Sequence, residues 1–173
     1  MTKRIDKRLA LVVATLLTLG VIGLLLDQYG SSLSEAPQTD DASASARGLE
    51  ASFQYAVSLL NAKHYEQAVD AFHEVLMLRP EMPEANVNMG FSLIGLQRYE
   101  LARQFFQNTI DLRPSQHNAY YGLAVAHEGV GELNEAIKAM RIYVHLAPEN
   151  DPYRRKAESA LWEWDAELAE AAQ

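Results

Sequence analysis

Pro80, Pro114 and Pro148 stand 34 residues apart, and four more columns keep the same interval. They are Ala68, Ala102 and Ala136; Phe72, Phe106 and Met140; Tyr65, Tyr99 and Leu133; and Leu78, Leu112 and Leu146. Five columns in three copies define a repeat. A unit of this length buries its apolar side by stacking on its neighbours, so the chain from Leu49 onward is constrained to an array of like units.

The residue types give the unit its shape. Alanine at 68, 102 and 136 marks where two helices cross closely, since a larger side chain would hold them apart, and Phe72, Phe106 and Met140 fill the adjacent gap. Each proline lies just past an apolar period and stops the second helix, because it lacks an N–H and clashes with the carbonyl four residues back. The short connections Gly95-Leu96-Gln97-Arg98 and Gly129-Val130-Gly131-Glu132 fit antiparallel helix pairs. Three units follow, over 49–82, 83–116 and 117–150. After Pro148, either Asn150 or Asp151 is placed to cap a further helix, with Pro152 at its first position and an amphipathic stretch to about Ala171. Ala157, Leu161, Trp164 and Leu168 form one apolar stripe along it, so 151–173 is expected to cap the last unit, with Trp164 in the cap core.

These columns resemble those of the tetratricopeptide repeat, whose 34-residue unit carries a small residue in its second helix, an aromatic four positions later and a terminal proline. The resemblance covers 49–150. Met89-Gly90 matches the Leu-Gly pair of the family's first helix, and Leu123-Ala124 and Tyr55-Ala56 match it more loosely. Ser52, Asn86 and Tyr120 stand where the family has its leading Trp. The fold implied is all-α: a right-handed α-solenoid of three helix-turn-helix repeats plus a C-terminal capping helix, preceded by one N-terminal transmembrane helix.

That last element is read from the head of the chain. Leu9 to Leu26 run without a charge, and 18 residues at about 1.5 Å each span roughly 27 Å of hydrocarbon. Lys3, Arg4, Lys7 and Arg8 in the basic segment 1–8 precede the run, whereas Asp27, Glu35, Asp40 and Asp41 follow it. The charge asymmetry predicts an N-terminus in the cytoplasm and a body on the periplasmic or extracytoplasmic side of an inner membrane. A cleaved signal peptide is the competing reading. Its apolar region is usually shorter, and Gly30-Ser31-Ser32 is the one nearby small-residue cluster, so 9–26 is taken as an uncleaved anchor. Residues 27–48, rich in Ser, Ala, Asp and Gly, are expected to be a flexible linker with a root-mean-square reach of roughly 25 Å.

Composition narrows the function classes. The absence of cysteine excludes disulfide scaffolds, thiolate metal sites and cysteine nucleophiles. From Leu49 onward 18 Asp and Glu face 10 Lys and Arg, which argues against a nucleic-acid partner, because phosphate binding needs concentrated positive charge. No nucleophile with a base, metal-ligand cluster or phosphate-binding glycine loop is visible, so no catalytic residue, metal or cofactor is expected. His64, His73, His117, His127 and His145 fall at five different phases of the repeat, and His127 shares the packing column of Leu59 and Leu93. Glu66, Asp70, Glu100, Glu132 and Glu135 sit at helix starts or outer faces, where solvation or dipole compensation accounts for them.

Recognition is expected on the first helix of each pair, which lines the concave side of such stacks. If Ser52, Tyr55, Ala56 and Leu59 face the core, then Phe53, Val57 and Leu60 face the groove. The same offsets select Val87, Phe91 and Ile94, then Tyr121, Val125 and Glu128. An apolar stripe of this extent predicts an occupied surface, suited to a peptide or amphipathic helix of a client protein; the alternative is that part of it is ordinary core or is covered by residues of the linker. Chaperone-tail clamps of the family use Lys, Asn and Arg there, which this stripe lacks. The reading is therefore a membrane-tethered adaptor binding a protein or peptide client. Its setting would be envelope complex assembly, as in single-pass proteins of similar layout serving cytochrome c maturation, pilus or secretion systems. A homo-oligomerising structural protein is the alternative.

Overall fold

The computed structural model describes residues 38–171, which form seven helices and no other regular element. They are α1 (Gln38–Asn61), α2 (Tyr65–Leu78), α3 (Pro83–Gly95), α4 (Tyr99–Leu112), α5 (His117–Gly129), α6 (Leu133–Leu146) and α7 (Arg154–Ala171). Helices α1 to α6 are the three pairs expected from the 34-residue period, and α7 follows the last. The compact repeat unit begins at Ala46.

Two boundaries differ from the sequence reading. The first helix starts at Gln38, so 38–48 is helical where a flexible linker is expected. Ala42, Ala44 and Ala46 are strong helix formers, and a helix already nucleated in the repeat extends cheaply, one hydrogen bond per residue fixed. Residues 42–48 are exposed, so propagation holds this extension. The rest of the expected linker, 27–37, and the anchor 9–26 lie outside the described residues, and none of the described helices is long and apolar enough to cross a membrane. The second difference is at α7, which begins at Arg154 instead of Pro152. The Asp151 carboxylate accepts the Tyr153 backbone N–H at 2.8 Å, closing a turn over 151–153 before the helix starts.

The three turns within the pairs share one geometry. Lys63, Gln97 and Gly131, again 34 apart, are left-handed, with φ of 61°, 59° and 81°. In the middle turn Gln97 N–H reaches the Ile94 carbonyl and Arg98 N–H the Leu93 carbonyl, both at 2.9 Å, and the other two turns repeat this pattern. This double closure satisfies the orphan carbonyls at the helix end, and only the third turn uses glycine for it.

Packing explains the columns. Ala68, Ala102 and Ala136 are each 0% exposed, as are Phe72 and Phe106. A methyl group at Gly90 would come within 2.6 Å of the Phe106 ring and one at Gly122 within 2.2 Å, so this ring is wedged between α3 and α5. Gly95 and Gly129 likewise leave room for Tyr65 and Tyr99, whose rings would lie 2.4 and 2.5 Å from an added methyl. Each aromatic therefore locks its repeat onto the first helix of the next.

The core has two connected clusters that meet on α5. Ala119 and Ala126 belong to the cluster of the first two repeats, Ala124 belongs to that of α6 and α7, and Leu123 touches both. Trp164 of α7 is 5% exposed in the second cluster and donates its indole N–H to Glu128 at 3.0 Å, which fulfils the cap role expected of it. Tyr55 is a correction: expected to face the core, it is 62% exposed, whereas its column mate Met89 is 3% exposed. Met89 lies in the first cluster on a helix that packs against the second helix of the preceding repeat, and no such helix precedes α1 among the described residues.

Candidate peptide-binding face

Residues four and three apart share a helix face, and this spacing brings the expected stripe together on α1, α3 and α5. Phe53, Val57 and Leu60 are half-buried on α1, as are Phe91 and Ile94 on α3 and Tyr121 and Val125 on α5. Val87 is the exception. At 1% exposure it is core, a correction to its placement on the groove surface. It lies in the first cluster with Phe72, Phe106 and Ala119.

Rings tie the stripe to the core. Phe53 packs on Phe72 at 6.0 Å between centroids, and Phe91 meets Phe106 edge-on at 5.1 Å. Phe91 also reaches across the repeat boundary to Tyr121 at 6.5 Å. Tyr121 in turn contacts Tyr143 of α6 at 5.2 Å and Tyr153, just before α7, at 5.7 Å. Each stripe aromatic thus spends one edge on the core and leaves the other accessible. Such rings are held rigidly, which lowers the entropy lost when a partner docks on them.

Sequence reasoning missed Tyr153 and the polar node beneath it. The Tyr143 hydroxyl donates to the Asp151 carboxylate at 2.5 Å, and His117 Nε2 lies 3.2 Å from the same carboxylate. Partial burial works to raise the Asp151 pKa, but the bonds from Tyr143 and the Tyr153 N–H, with His117, hold it below the usual carboxylate range. Burial, and then the bond to Asp151, push the Tyr143 hydroxyl up. Arg154 donates to the Ala147 carbonyl at 2.9 Å, so the node fastens α5, α6 and the start of α7 to one another. Asp151 is legible as a cap residue in the sequence. Its partners are 34 and 8 residues away on other helices, and local pattern does not reveal them.

Polar residues on the first helices serve structure. Asn86, where the family has Trp, is buried, donates to the Pro80 and Met82 carbonyls at 2.9 Å each, and accepts from Asn108 at 3.1 Å. His127 Nδ1 lies 2.7 Å from the Glu132 carboxylate, which Arg103 also meets at 2.6 Å. Those contacts, from His127 first and Arg103 second, lower the Glu132 pKa. Glu84 is lowered too: partial burial opposes the shift, but its backbone N–H and Arg113 outweigh it.

Among the described residues no group of three or more His, Asp or Glu is placed to hold a metal ion. Two surface hollows lie off the stripe, one at the turn into α7 lined largely by charged side chains, and one beside Arg79 and Arg113 lined by charged and apolar side chains together. The stripe itself is an extended ledge, a shape that takes a length of chain better than a small molecule.

Comparison with known proteins agrees with this architecture. Two family profiles, both described as tetratricopeptide repeat, match residues 50–78 and 87–151. No curated protein sequence matches. Among solved structures, the type III secretion chaperone SycD of Yersinia enterocolitica, in complex with a peptide of the translocator YopD, superposes with a TM-score of 0.65 at 17% identity. The match covers 70% of this chain and 95% of that one. The second TPR domain of human RPAP3, in complex with an HSP70 peptide, gives 0.59 at 20% identity over 66% of this chain and 92% of its own. MamA of Desulfovibrio magneticus RS-1 gives 0.56 at 28% identity, covering 71% and 76%. These likenesses show the fold: a solenoid of tetratricopeptide repeats.

Proposed function

We propose that this chain, a bearer of tetratricopeptide repeats, is a membrane-tethered adaptor that holds a peptide or amphipathic helix of a client protein on the stripe of α1, α3 and α5. The observation that carries the reading is the row of half-buried apolar side chains, Phe53, Val57, Leu60, Phe91, Ile94, Tyr121 and Val125, on the one face that the repeats share. The complexes of SycD and of RPAP3 with peptides support it by analogy of fold. The uncharged run 9–26 behind a basic head supports an inner-membrane anchor with the repeats on the extracytoplasmic side. Tethering would raise the local concentration of the stripe at the membrane where an envelope client emerges, which fits a part in complex assembly.

The test is photocrosslinking in membranes from a probe at Ile94 on the stripe, paired with one at Trp162, which is 76% exposed on α7. One client recurring at Ile94 and absent at Trp162 supports the adaptor. The same products from both positions, or none from either, would sink it. Leu60→Asp, in the same column of the stripe, is expected to abolish capture by the Ile94 probe while leaving the helical circular dichroism within about a few per cent of the parent.

A further inference from the structure

The stripe does not end as it begins. Leu60, Ile94 and Glu128 occupy one column, so the row of apolar side chains along the first helices terminates in a carboxylate on α5. Glu128 is exposed, and the indole N–H of the buried Trp164 holds one of its oxygens at 3.0 Å. A carboxylate accepts up to about four hydrogen bonds, so this contact leaves most of its capacity open. No ion pair among the described residues involves it, although Arg103, Arg113, Lys138, Arg141 and Arg154 each meet an acidic partner elsewhere. The stripe carries no lysine or arginine, and the chain from Leu49 onward has 18 acidic residues against 10 basic ones.

We infer that the segment held on this stripe is basic as well as apolar: an amphipathic stretch whose hydrophobic side covers Val57, Phe91 and Tyr121 and whose lysine or arginine meets Glu128. This deepens the adaptor reading and rests on it. An acidic segment would bring like charge to the carboxylate on a stripe that carries no lysine or arginine to receive it. A basic segment gains a charge-assisted hydrogen bond there, and the field of the body steers it in. Trp164 supplies the positioning. The Trp164 indole is buried against the last pair, so the Glu128 side chain it holds is already oriented, and less rotamer freedom is lost when a cation arrives.

The experiment uses the full chain in uncharged detergent micelles and two labelled synthetic helical peptides of about 18 residues, long enough to lie along three repeats. They share one leucine and phenylalanine face and differ only in a polar face of lysine or of glutamate. Anisotropy at about 0.15 M salt is expected to show the lysine peptide binding at least about tenfold tighter. Glu128→Gln, which keeps an oxygen for the Trp164 indole, should reduce that preference about fivefold, while Glu163→Gln on α7 leaves it unchanged. Equal binding of the two peptides, tighter binding of the glutamate peptide, or a preference untouched by Glu128→Gln would overturn the basic partner. Ile94→Asp reports separately on the stripe. If it abolishes binding of both peptides the stripe remains the docking face whatever the Glu128 result, and if it weakens neither, the adaptor reading fails with the inference.

Discussion

At the C-terminal end of the solenoid α7 lies on the last pair, burying Trp164 and Ala157, whereas at the N-terminal end the outward side of α1 carries Tyr55 in solvent. The contrast is sharpest within one column. Tyr55 is 62% exposed and Met89 3%, and Leu123 is half-buried. Repeat position alone does not make a residue core. Burial in this column follows a second helix preceding it in the stack, complete at Met89 and partial at Leu123, and the first unit lacks that helix among the described residues. The same logic explains why Gly95 and Gly129 are hollowed to admit Tyr65 and Tyr99 while the equivalent Asn61, with no preceding ring among the described residues, is exposed.

The largest effects should come from the covered side of this comparison. Met89→Ala and Trp164→Ala are each expected to destabilise by about 2–5 kcal/mol in denaturant unfolding, because each leaves a cavity in a closed part of the core. In Trp164→Ala the loss should be local first. The chain has two tryptophans, so the remaining fluorescence comes from the exposed Trp162, and its emission should lie fully in the water-exposed range. An unfolding midpoint equal to that of the parent would mean that the third repeat is complete without its cap.

Next in size is the node that fastens the closed end. Asp151→Asn should cost about 1–3 kcal/mol near neutral pH, since it weakens the bond from the buried Tyr143 hydroxyl and removes the charge facing His117. Its pH dependence has a definite sign. The folded chain holds the Asp151 proton less readily than the unfolded chain, so this stability is fully present above the unfolded value near 3.8 and is lost as pH falls through the lowered folded one. The gap between parent and variant should therefore narrow toward acid pH; a gap that stays constant from pH 6 to pH 2, about the full carboxylate range, would show that geometry alone matters. At the alkaline side, the raised Tyr143 contributes stability present below about pH 10 and lost above it.

The fold was legible because its determinants repeat. Alanines 68, 102 and 136 and the three prolines state where helices cross and stop, and three copies remove the ambiguity that any one would leave. Most of the stripe was legible for the same reason, since spacing of four and three on a helix fixes a face. Val87 differs from the expectation because half-burial and full burial share one periodicity, and only the packing of the folded core decides between them. The Phe106 wedge shows the other limit. Gly90 reads as part of a family pair, but Gly122 lies outside the conserved columns, and its need for a missing side chain emerges only when the ring of another helix is seen against it. The helical extension over 38–48 escaped because a solvated alanine- and serine-rich stretch looks alike as helix or coil until a nucleated helix adjoins it.

The two smallest predictions sharpen the comparison at the open end. Lys63 holds a left-handed φ of 61° in the first turn, where the equivalent Gly131 of the third turn adopts 81° without a side chain to strain. Lys63→Gly should stabilise by about 0.5–1 kcal/mol if relief of that strain outweighs the entropy glycine adds to the unfolded chain. Loss of stability would mean that the entropy wins. Tyr55→Ala is expected to shift stability by no more than about 0.5 kcal/mol, since the side chain covers little and alanine is the better helix former. Against the loss of several kcal/mol expected at Met89, this near-silence would confirm that the open face of α1 contributes nothing to folding. A loss at Tyr55 comparable to that at Met89 would show that something covers that face in solution, and would make the two ends of the solenoid alike.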